Sequence, residues 1–212
     1  DYGLYDNAGD PVIEHLTAEL FFKPGKNLYG RVSAGYLEQM YGGVSAEVLW
    51  RPVNSNFALG AELNYVKQRA FDQLFGFQSY EVMTGHFSGY WNMQNGFQAQ
   101  VDVGRYLAGD YGATFALDRA FNNGWKVGAF FTLTNVPFSS FGEGSFDKGI
   151  RITIPVAWAT GKPTKDVRQL ELKPITRDGG ARLSVRNRLY EVTSEYHGCL
   201  LYTSPSPRDT RE

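Results

Sequence analysis

The chain lacks several features that would place it in a common class of protein. No window approaches 18 uninterrupted apolar residues, which excludes a hydrophobic membrane-spanning helix. Its 21 basic and 22 acidic residues almost cancel, so the charge gives no sign of a nucleic-acid partner. The single cysteine is Cys199, and a chain otherwise without thiols is typical of an oxidising envelope compartment.

Motifs for cofactors and metals are also missing. The sequence contains no nucleotide-binding loop, no zinc-ligand spacing and no nucleophile elbow. The histidines, His15, His86 and His197, lie far apart without ligand spacing. We therefore expect no cofactor, no metal and no nucleic-acid partner.

What the chain does have is alternation of apolar and polar residues, most clearly over residues 96–136. Here Phe97, Ala99, Val101 and Val103 alternate with Gln98, Gln100, Asp102 and Gly104. The pattern recurs in the next two segments, and the pairs Asn95-Gly96 and Asn123-Gly124 favour type I′ hairpin turns. This stretch therefore predicts three consecutive antiparallel strands.

The same alternation extends over most of the chain, with loops at residues 69–78, 137–147 and 160–169 and a reversal at Gly42-Gly43. It predicts an all-β, antiparallel up-and-down meander of about ten strands, with no helix. The predicted strands are residues 12–22, 28–38, 44–51, 57–65, 80–92, 97–104, 111–118, 125–133, 150–158, 170–176 and 181–192.

Aromatic residues gather at the ends of these predicted strands. One level carries Phe22, Tyr29, Trp50, Phe57, Trp91, Phe97, Phe121, Trp125 and Trp158, and the other Tyr36, Tyr65, Tyr80, Tyr106 and Tyr111. Two such levels are typical of the interfacial girdles of a transmembrane β-barrel. The alternative is a soluble sheet protein in which the aromatic residues form the core.

Charged residues of both signs lie on the other face of the strands, as expected of a wet barrel lumen. We expect lumen-lining or polysaccharide-contacting roles for Arg31, Glu47, Glu62, Asp102, Asp118, Lys126, Arg151, Arg182, Arg186 and Arg188. The arginines at 182, 186 and 188 either pair with Glu47, Glu62 or Asp118 across the lumen or contact an acidic polysaccharide. Pairing is favoured, because unpaired buried charge is costly. Loop aromatics that could contact sugars are Phe71, Phe75, Phe77 and Phe141.

Three stretches resemble the bacterial exopolysaccharide biosynthesis proteins of the YjbH type. They are YGGVSAEVLWRP from Tyr41, IRITIPVAWATGKPT from Ile150 and ELKPITRDGGARLSVRNRLYEV from Glu171. The resemblance implies the C-terminal part, residues 1–198, of a longer outer-membrane β-barrel protein of Gram-negative bacteria, associated with making or exporting polysaccharide. It implies outer-membrane lipid, polysaccharide and envelope export proteins as partners, and it carries no catalytic residues.

The chain begins without an initiator methionine and ends in an unusual tail, so we interpret it as a fragment. The run CLLYTSPSPRD from Cys199 looks like the translation of a transposase adapter used in sequencing libraries. Residues 199–212 are therefore expected to be an adapter-derived or disordered tail.

The sequence leaves three functions open. The first is a conduit or docking site for polysaccharide in the outer membrane, without covalent catalysis. The second is a barrel hydrolase of the phospholipase type, because His86 and Ser88 share a face of one strand, although Gly89 follows where that motif has Asn. The third is a purely structural barrel that holds partner proteins.

Overall fold

The computed structural model describes residues 5, 11–140, 146–157, 161, 167–172 and 179–200, without the side chains of 94 and 195–200. Its main element is one ten-stranded sheet in which every strand pairs antiparallel with its neighbours in sequence, so the predicted meander is confirmed. The sheet is not closed, because no pairing joins β1 to β10. The strands are β1 Leu16–Gly25, β2 Leu28–Tyr36, β3 Tyr41–Trp50, β4 Phe57–Arg69, β5 Phe77–Asn92, β6 Phe97–Arg105, β7 Tyr111–Ala120, β8 Lys126–Thr134, β9 Asp147–Pro155 and β10 Val167–Leu172.

The sheet has two ends that we name by their contents. The tryptophan end carries Trp50, Trp91 and Trp125 and the connections at 26–27, 51–56, 93–96 and 121–125. The opposite end carries the connections at 37–40, 70–76, 106–110 and 135–146. Strand registers bring the tryptophan end to one level, since Trp50 is opposite Leu28 and Trp91 is opposite Phe57.

Turn chemistry is confirmed at one of the two predicted Asn-Gly turns. Asn95 and Gly96 both have positive φ, 65° and 79°, as a type I′ turn requires. At Asn123-Gly124 only the glycine does, with φ 85°, and the Gly124 N–H donates to the Phe121 carbonyl at 2.9 Å. That geometry is a type I turn followed by a left-handed glycine, so the prediction was wrong there.

Several strand boundaries differ from the prediction. The strand predicted at 12–22 is shifted to Leu16–Gly25, and β5 and β9 begin at Phe77 and Asp147, within the predicted loops at 69–78 and 137–147. Gly42 and Gly43 lie inside β3, paired with Lys67 and Val66, and the chain reverses earlier, at residues 37–40. The last strand is β10, which begins at Val167 within a predicted loop, and the rest of predicted strand 170–176 lies outside the described residues.

The burial pattern separates the sheet into two faces. On the outer face large apolar side chains are exposed, for example Leu63 at 57% and Phe87 at 76%. On the inner face polar and charged side chains are buried, for example Arg31 at 0% and Glu62 at 6%. The expected division of faces is therefore confirmed in the described strands, with the ionic side inward.

The predicted strand at 181–192 is wrong. Residues 181–188 belong to no strand and bend at 186–187, and helix α1, Leu189–Leu200, follows them. We call residues 179–194 the plug segment, because they lie against the inner face of the sheet. The helix also reaches two residues into the predicted tail at 199–212, and residues 201–212 lie outside the described part of the chain.

Two small apolar clusters hold the plug segment, one towards each end of the sheet. Leu183 and Val185 join the first, with Leu37, Tyr41, Val66, Val82 and Leu107. Leu189 and Tyr190 join the second, with Leu49, Ala58 and Tyr90. Within the described residues, no helix is long and apolar enough to span a membrane.

We predict that Gly96→Ala destabilises the protein by more than about 1 kcal/mol, because its φ is positive and a Cβ would lie 2.4 Å from the Ala120 carbonyl oxygen. Gly89→Ala is the matched control, since its Cβ would meet nothing closer than 4.0 Å. The measurement is the free energy of unfolding in urea. Equal values for the two variants would contradict the predicted role of the turn.

Candidate functional site

The centre of the inner face is Glu62, which faces three guanidinium groups. Its carboxylate accepts a hydrogen bond from Arg188 Nε at 2.8 Å and lies 3.9 Å from Arg31 Nη2 and 3.7 Å from Arg182 Nη2. Burial alone acts to lower the pKa of Arg188, but the carboxylate of Glu62 outweighs it and holds that pKa above its usual range. Arg188 therefore stays charged within the protein.

Arg31 connects this centre to the neighbouring strand. The β2–β3 register places it opposite Glu47, and Arg31 Nε donates to Glu47 Oε2 at 3.0 Å. Its Nη1 donates to Ser33 Oγ and to the Arg186 carbonyl, both at 3.0 Å, and its Nη2 donates to Ser45 at 3.2 Å. A fully buried guanidinium with this many acceptors is fixed in position.

Asp102 on β6 forms a second anionic position. It accepts from Arg182 Nη1 at 2.9 Å, from the Ser88 hydroxyl at 2.5 Å and from Gln100 Nε2 at 2.7 Å. Arg182 thereby bridges Asp102 and Glu62, which lie on different strands. The plug segment is thus tied across the sheet rather than to one strand.

Glu47 fixes the start of helix α1. Both oxygens of its carboxylate lie 3.1 Å from the backbone nitrogen of Leu189, the first residue of the helix. The first N–H groups of a helix have no partner within it, and its positive end favours an anion. One carboxylate therefore satisfies the helix terminus and Arg31 together.

Arg51 holds the plug segment near the tryptophan end. Its Nη1 donates to the Tyr190 carbonyl at 3.2 Å and to the hydroxyls of Thr193 and Ser194, both at 2.8 Å. The Tyr190 ring stacks on Tyr90 with centroids 3.7 Å apart, and its hydroxyl donates to Asn92 at 2.9 Å. Burial raises the pKa of Tyr190, so the phenol remains neutral at physiological pH.

The charged residues expected at the lumen occupy three kinds of position. Buried on the inner face are Arg31, Glu47, Glu62 and Asp102; partly buried are Asp118, Arg151, Arg182 and Arg188; exposed are Lys126 and Arg186. Pairing of Arg182 and Arg188 with Glu62 is confirmed. Asp118 pairs instead with Arg151, at 3.0 Å. Arg182, Arg186 and Arg188 belong to the plug segment rather than to a last strand. Their contact with a polysaccharide stays a prediction.

His86 and Ser88 share the inner face, as expected, but their side chains are not hydrogen-bonded to each other in this structure. The Ser88 hydroxyl donates to Asp102, and the His86 ring lies edge-on to Tyr106, with centroids 4.7 Å apart. Among the described residues, neither ring nitrogen of His86 has a hydrogen-bond partner. The Ser88 oxygen therefore lacks the contact with an imidazole that the phospholipase-type pair uses.

The predicted aromatic level lies at the tryptophan end, as expected, and most of its described side chains face outward. The exposed members are Phe22, Trp50, Phe57, Trp91 and Phe121. Tyr29 differs, because it packs inward against the cluster that contains Leu49 and Tyr190.

At the opposite end Tyr65, Tyr80 and Tyr111 are exposed and Tyr36 is half-buried, whereas Tyr106 is fully buried. Its hydroxyl lies 2.6 Å from Thr114 Oγ1. Placing Tyr106 in an outer level was therefore wrong. Trp158 and Phe141 lie outside the described residues.

Sequence reasoning missed Arg69, which organises the opposite end. Its guanidinium is fully buried and donates to the backbone carbonyls of Glu38, Gln39, Gln73 and Leu74 at 2.6–3.2 Å. It also lies over the Tyr36 ring, 4.1 Å from the centroid. This arginine fixes the loop at 70–76, from which Phe75 projects with 72% of its surface exposed.

No metal site is evident in the part of the chain that the structure describes. No group of three or more His, Cys, Asp or Glu side chains there is placed to hold an ion. The inner carboxylates are instead occupied by guanidinium groups and a helix terminus.

Fold and site together define an all-β meander protein with an ionic inner face that is covered by its own C-terminal segment. A model of the family described as "Exopolysaccharide biosynthesis protein YbjH" matches residues 1–195. The chain is 40% identical over 191 residues to an Escherichia coli (strain K12) protein described as "Uncharacterized lipoprotein YjbH". The chain therefore belongs to the YjbH exopolysaccharide biosynthesis family.

The match to the Escherichia coli protein covers 88% of this chain but 27% of that protein, so the chain spans about a quarter of its relative's length. No solved structure matches the chain.

We predict that Glu62→Gln destabilises the protein by about 3–5 kcal/mol, because it leaves buried guanidinium groups without their carboxylate. Asp118→Asn is the control, since that ion pair is 21–26% exposed and its loss should cost no more than about 1 kcal/mol. Urea unfolding of both variants measures the difference. A smaller loss of unfolding free energy for Glu62→Gln than for Asp118→Asn would contradict the central role of Glu62 in the network.

Proposed function

We propose that this chain is part of an outer-membrane β-barrel that takes part in exopolysaccharide production, as a conduit or docking site without covalent catalysis. Its partners would be outer-membrane lipid, polysaccharide and other envelope export proteins. Membership of the exopolysaccharide biosynthesis family supports the process. The description of the Escherichia coli relative as a lipoprotein supports a place in the cell envelope.

The observation that carries the membrane part of the proposal is the inverted burial of the sheet. Exposed leucine, valine and phenylalanine side chains follow one another across the outer face, while arginine and glutamate are buried on the inner face. Contiguous apolar surface of this extent is unfavourable in water and favourable in lipid. A lipid-facing outer side and an ionic inner side are typical of outer-membrane barrels.

The aromatic residues at the tryptophan end support the same conclusion. Phe57 and Trp91 stack on the outer face with centroids 5.6 Å apart, and Arg119 lies about 5 Å from the rings of Phe97 and Phe121. Amphipathic aromatic rings and long basic side chains favour the boundary between hydrocarbon and water.

The plug segment favours a second candidate, a barrel that docks or holds partners and passes nothing. Its arginines already pair with Glu62 and Asp102, and its apolar residues fill two clusters on the inner face. A conduit along this face requires the segment to move, whereas a docking protein does not.

The hydrolase alternative makes a separate prediction. Because the Ser88 hydroxyl is bound to Asp102 and not to His86, we expect ester hydrolysis by the purified protein to stay at background in wild type and in Ser88→Ala. The measurement uses a short-chain fatty ester and a phospholipid. Hydrolysis that disappears in Ser88→Ala would support the enzyme instead, and export would then be secondary.

For the membrane proposal, we predict that Leu63→Lys weakens insertion into lipid vesicles by about 2–4 kcal/mol, because residue 63 is mid-strand on the outer face. Leu74→Lys is the matched control, an exposed leucine in the loop at 70–76 for which we expect a loss of under about 1 kcal/mol. Flotation of the full-length protein with vesicles over a urea series measures insertion. If both variants float like wild type, the outer face does not contact lipid.

A further inference from the structure

We propose that the plug segment, residues 179–194, is a gate that can leave the inner face, and that its departure converts this face from balanced to acidic. The opening of the segment does not depend on transport. The charge preference of the opened path rests on the conduit form of the proposed function.

The first argument is the way the segment is attached. It adds no strand to the sheet. One hydrogen bond joins its backbone to the backbone of the wall, from Leu107 N–H to the Ala181 carbonyl at 3.0 Å. Its other backbone contacts with the wall are to side chains, namely those of Arg31, Glu38, Glu47, Arg51 and Asp110. The remaining attachment is by ion pairs and hydrogen bonds between side chains and by two small apolar clusters. Such contacts are released without breaking a ladder of backbone hydrogen bonds.

The second argument is the backbone conformation at two positions of the plug segment, one before Arg182 and one between Arg186 and Arg188. Gly180 has φ 69°, and Asn187 has φ 56°. Hinges are short stretches, often of small residues, that absorb large changes of φ and ψ. Glycine and asparagine are the residues that tolerate this region, so both positions suit hinges.

The third argument is incomplete hydrogen bonding where the segment meets the wall. Arg182 Nε, both ring nitrogens of His86 and Asp110 Oδ1 are buried without a hydrogen-bond partner. A permanent interior contact is expected to satisfy such groups, since each unpaired one opposes burial. Here the closed contact is incompletely satisfied, which lowers the barrier to leaving it.

Counting charges gives the consequence of release. In the closed state Arg31, Arg182 and Arg188 balance Glu47, Glu62 and Asp102. Without the plug segment, the charged wall side chains that contacted it are six carboxylates against two guanidinium groups, so an acidic excess remains. They are Glu19, Glu38, Glu47, Glu62, Asp102, Asp110, Arg31 and Arg51. An opened path therefore attracts cations and disfavours polyanions, and it suits neutral or amino-bearing saccharides better than uronic-acid polymers.

The test uses a thiol as a reporter of opening. In full-length protein in vesicles, with Cys199→Ser, Val185→Cys places a thiol at a position that is 5% exposed in the closed state. We expect Arg188→Gln to raise the rate of labelling by a membrane-impermeant cationic thiosulfonate at least tenfold, because Glu62 then loses its closest partner. Arg168→Gln removes the same charge from an exposed position on β10 and should leave the rate unchanged.

Folding is checked in parallel by the β-sheet signal in far-ultraviolet circular dichroism. Faster labelling with the sheet signal retained supports the gate. Unchanged labelling in Arg188→Gln overturns it, and so does labelling that rises only as the sheet signal is lost, since the segment is then a fixed part of the fold. A second variant, Arg182→Gln, is also expected to raise the labelling rate with the sheet signal retained.

Conductance of the same proteins in planar bilayers tests the acidic wall. We expect the double variant Arg182→Gln/Arg188→Gln to pass more current than wild type, with a reversal potential that favours cations. Anion preference would overturn the acidic wall. If the inserted protein labels faster but passes no current, the gate is supported and the conduit is contradicted. If the protein does not insert into the bilayer, the membrane proposal itself is contradicted.

Discussion

The structure depends on a buried carboxylate, Glu62, that faces three guanidinium groups. Charge of this density cannot be buried unless each group has a partner at short range. Arg31 comes from the neighbouring part of the sheet, but Arg182 and Arg188 come from the C-terminal segment. The position of that segment is therefore a condition for burying the inner face, and Glu47 reinforces it by binding the first N–H of α1.

This constraint explains why the apolar residues lie where they do. Side chains on a strand alternate between two faces, so a face given to ions and hydroxyls leaves its apolar neighbours on the other. Leu63, between Glu62 and Asn64, is such a neighbour. Among the described residues, the inner face has two apolar clusters, and both contain residues of the plug segment. Hydrophobic burial within this chain is thus concentrated where the segment docks.

The strands and their two faces could be predicted because the period of two is imposed by the pleat itself. The same period misled at residues 181–188, where Leu183 and Val185 alternate with polar residues. A segment that lies on the sheet without joining it also has an inward and an outward side, so alternation alone does not reveal whether a ladder forms. At Asn123-Gly124 the dipeptide was right for a turn but not for its type, since only the glycine has a positive φ there.

For the site, the sequence predicted the pairing of Arg182 and Arg188 with Glu62, but not from which element these arginines come, nor that Asp118 pairs with Arg151. Arg51 and Arg69 could not be predicted, because most of the oxygens they bind are backbone carbonyls, which leave no complementary residue in the sequence. The pairing also changes the argument about polysaccharide. Arg182 and Arg188 are held by Glu62 and Asp102, so an acidic sugar must displace a carboxylate that is already fixed in place. A docking saccharide therefore gains more from exposed groups, such as Phe75 on its rigid loop, than from the paired arginines.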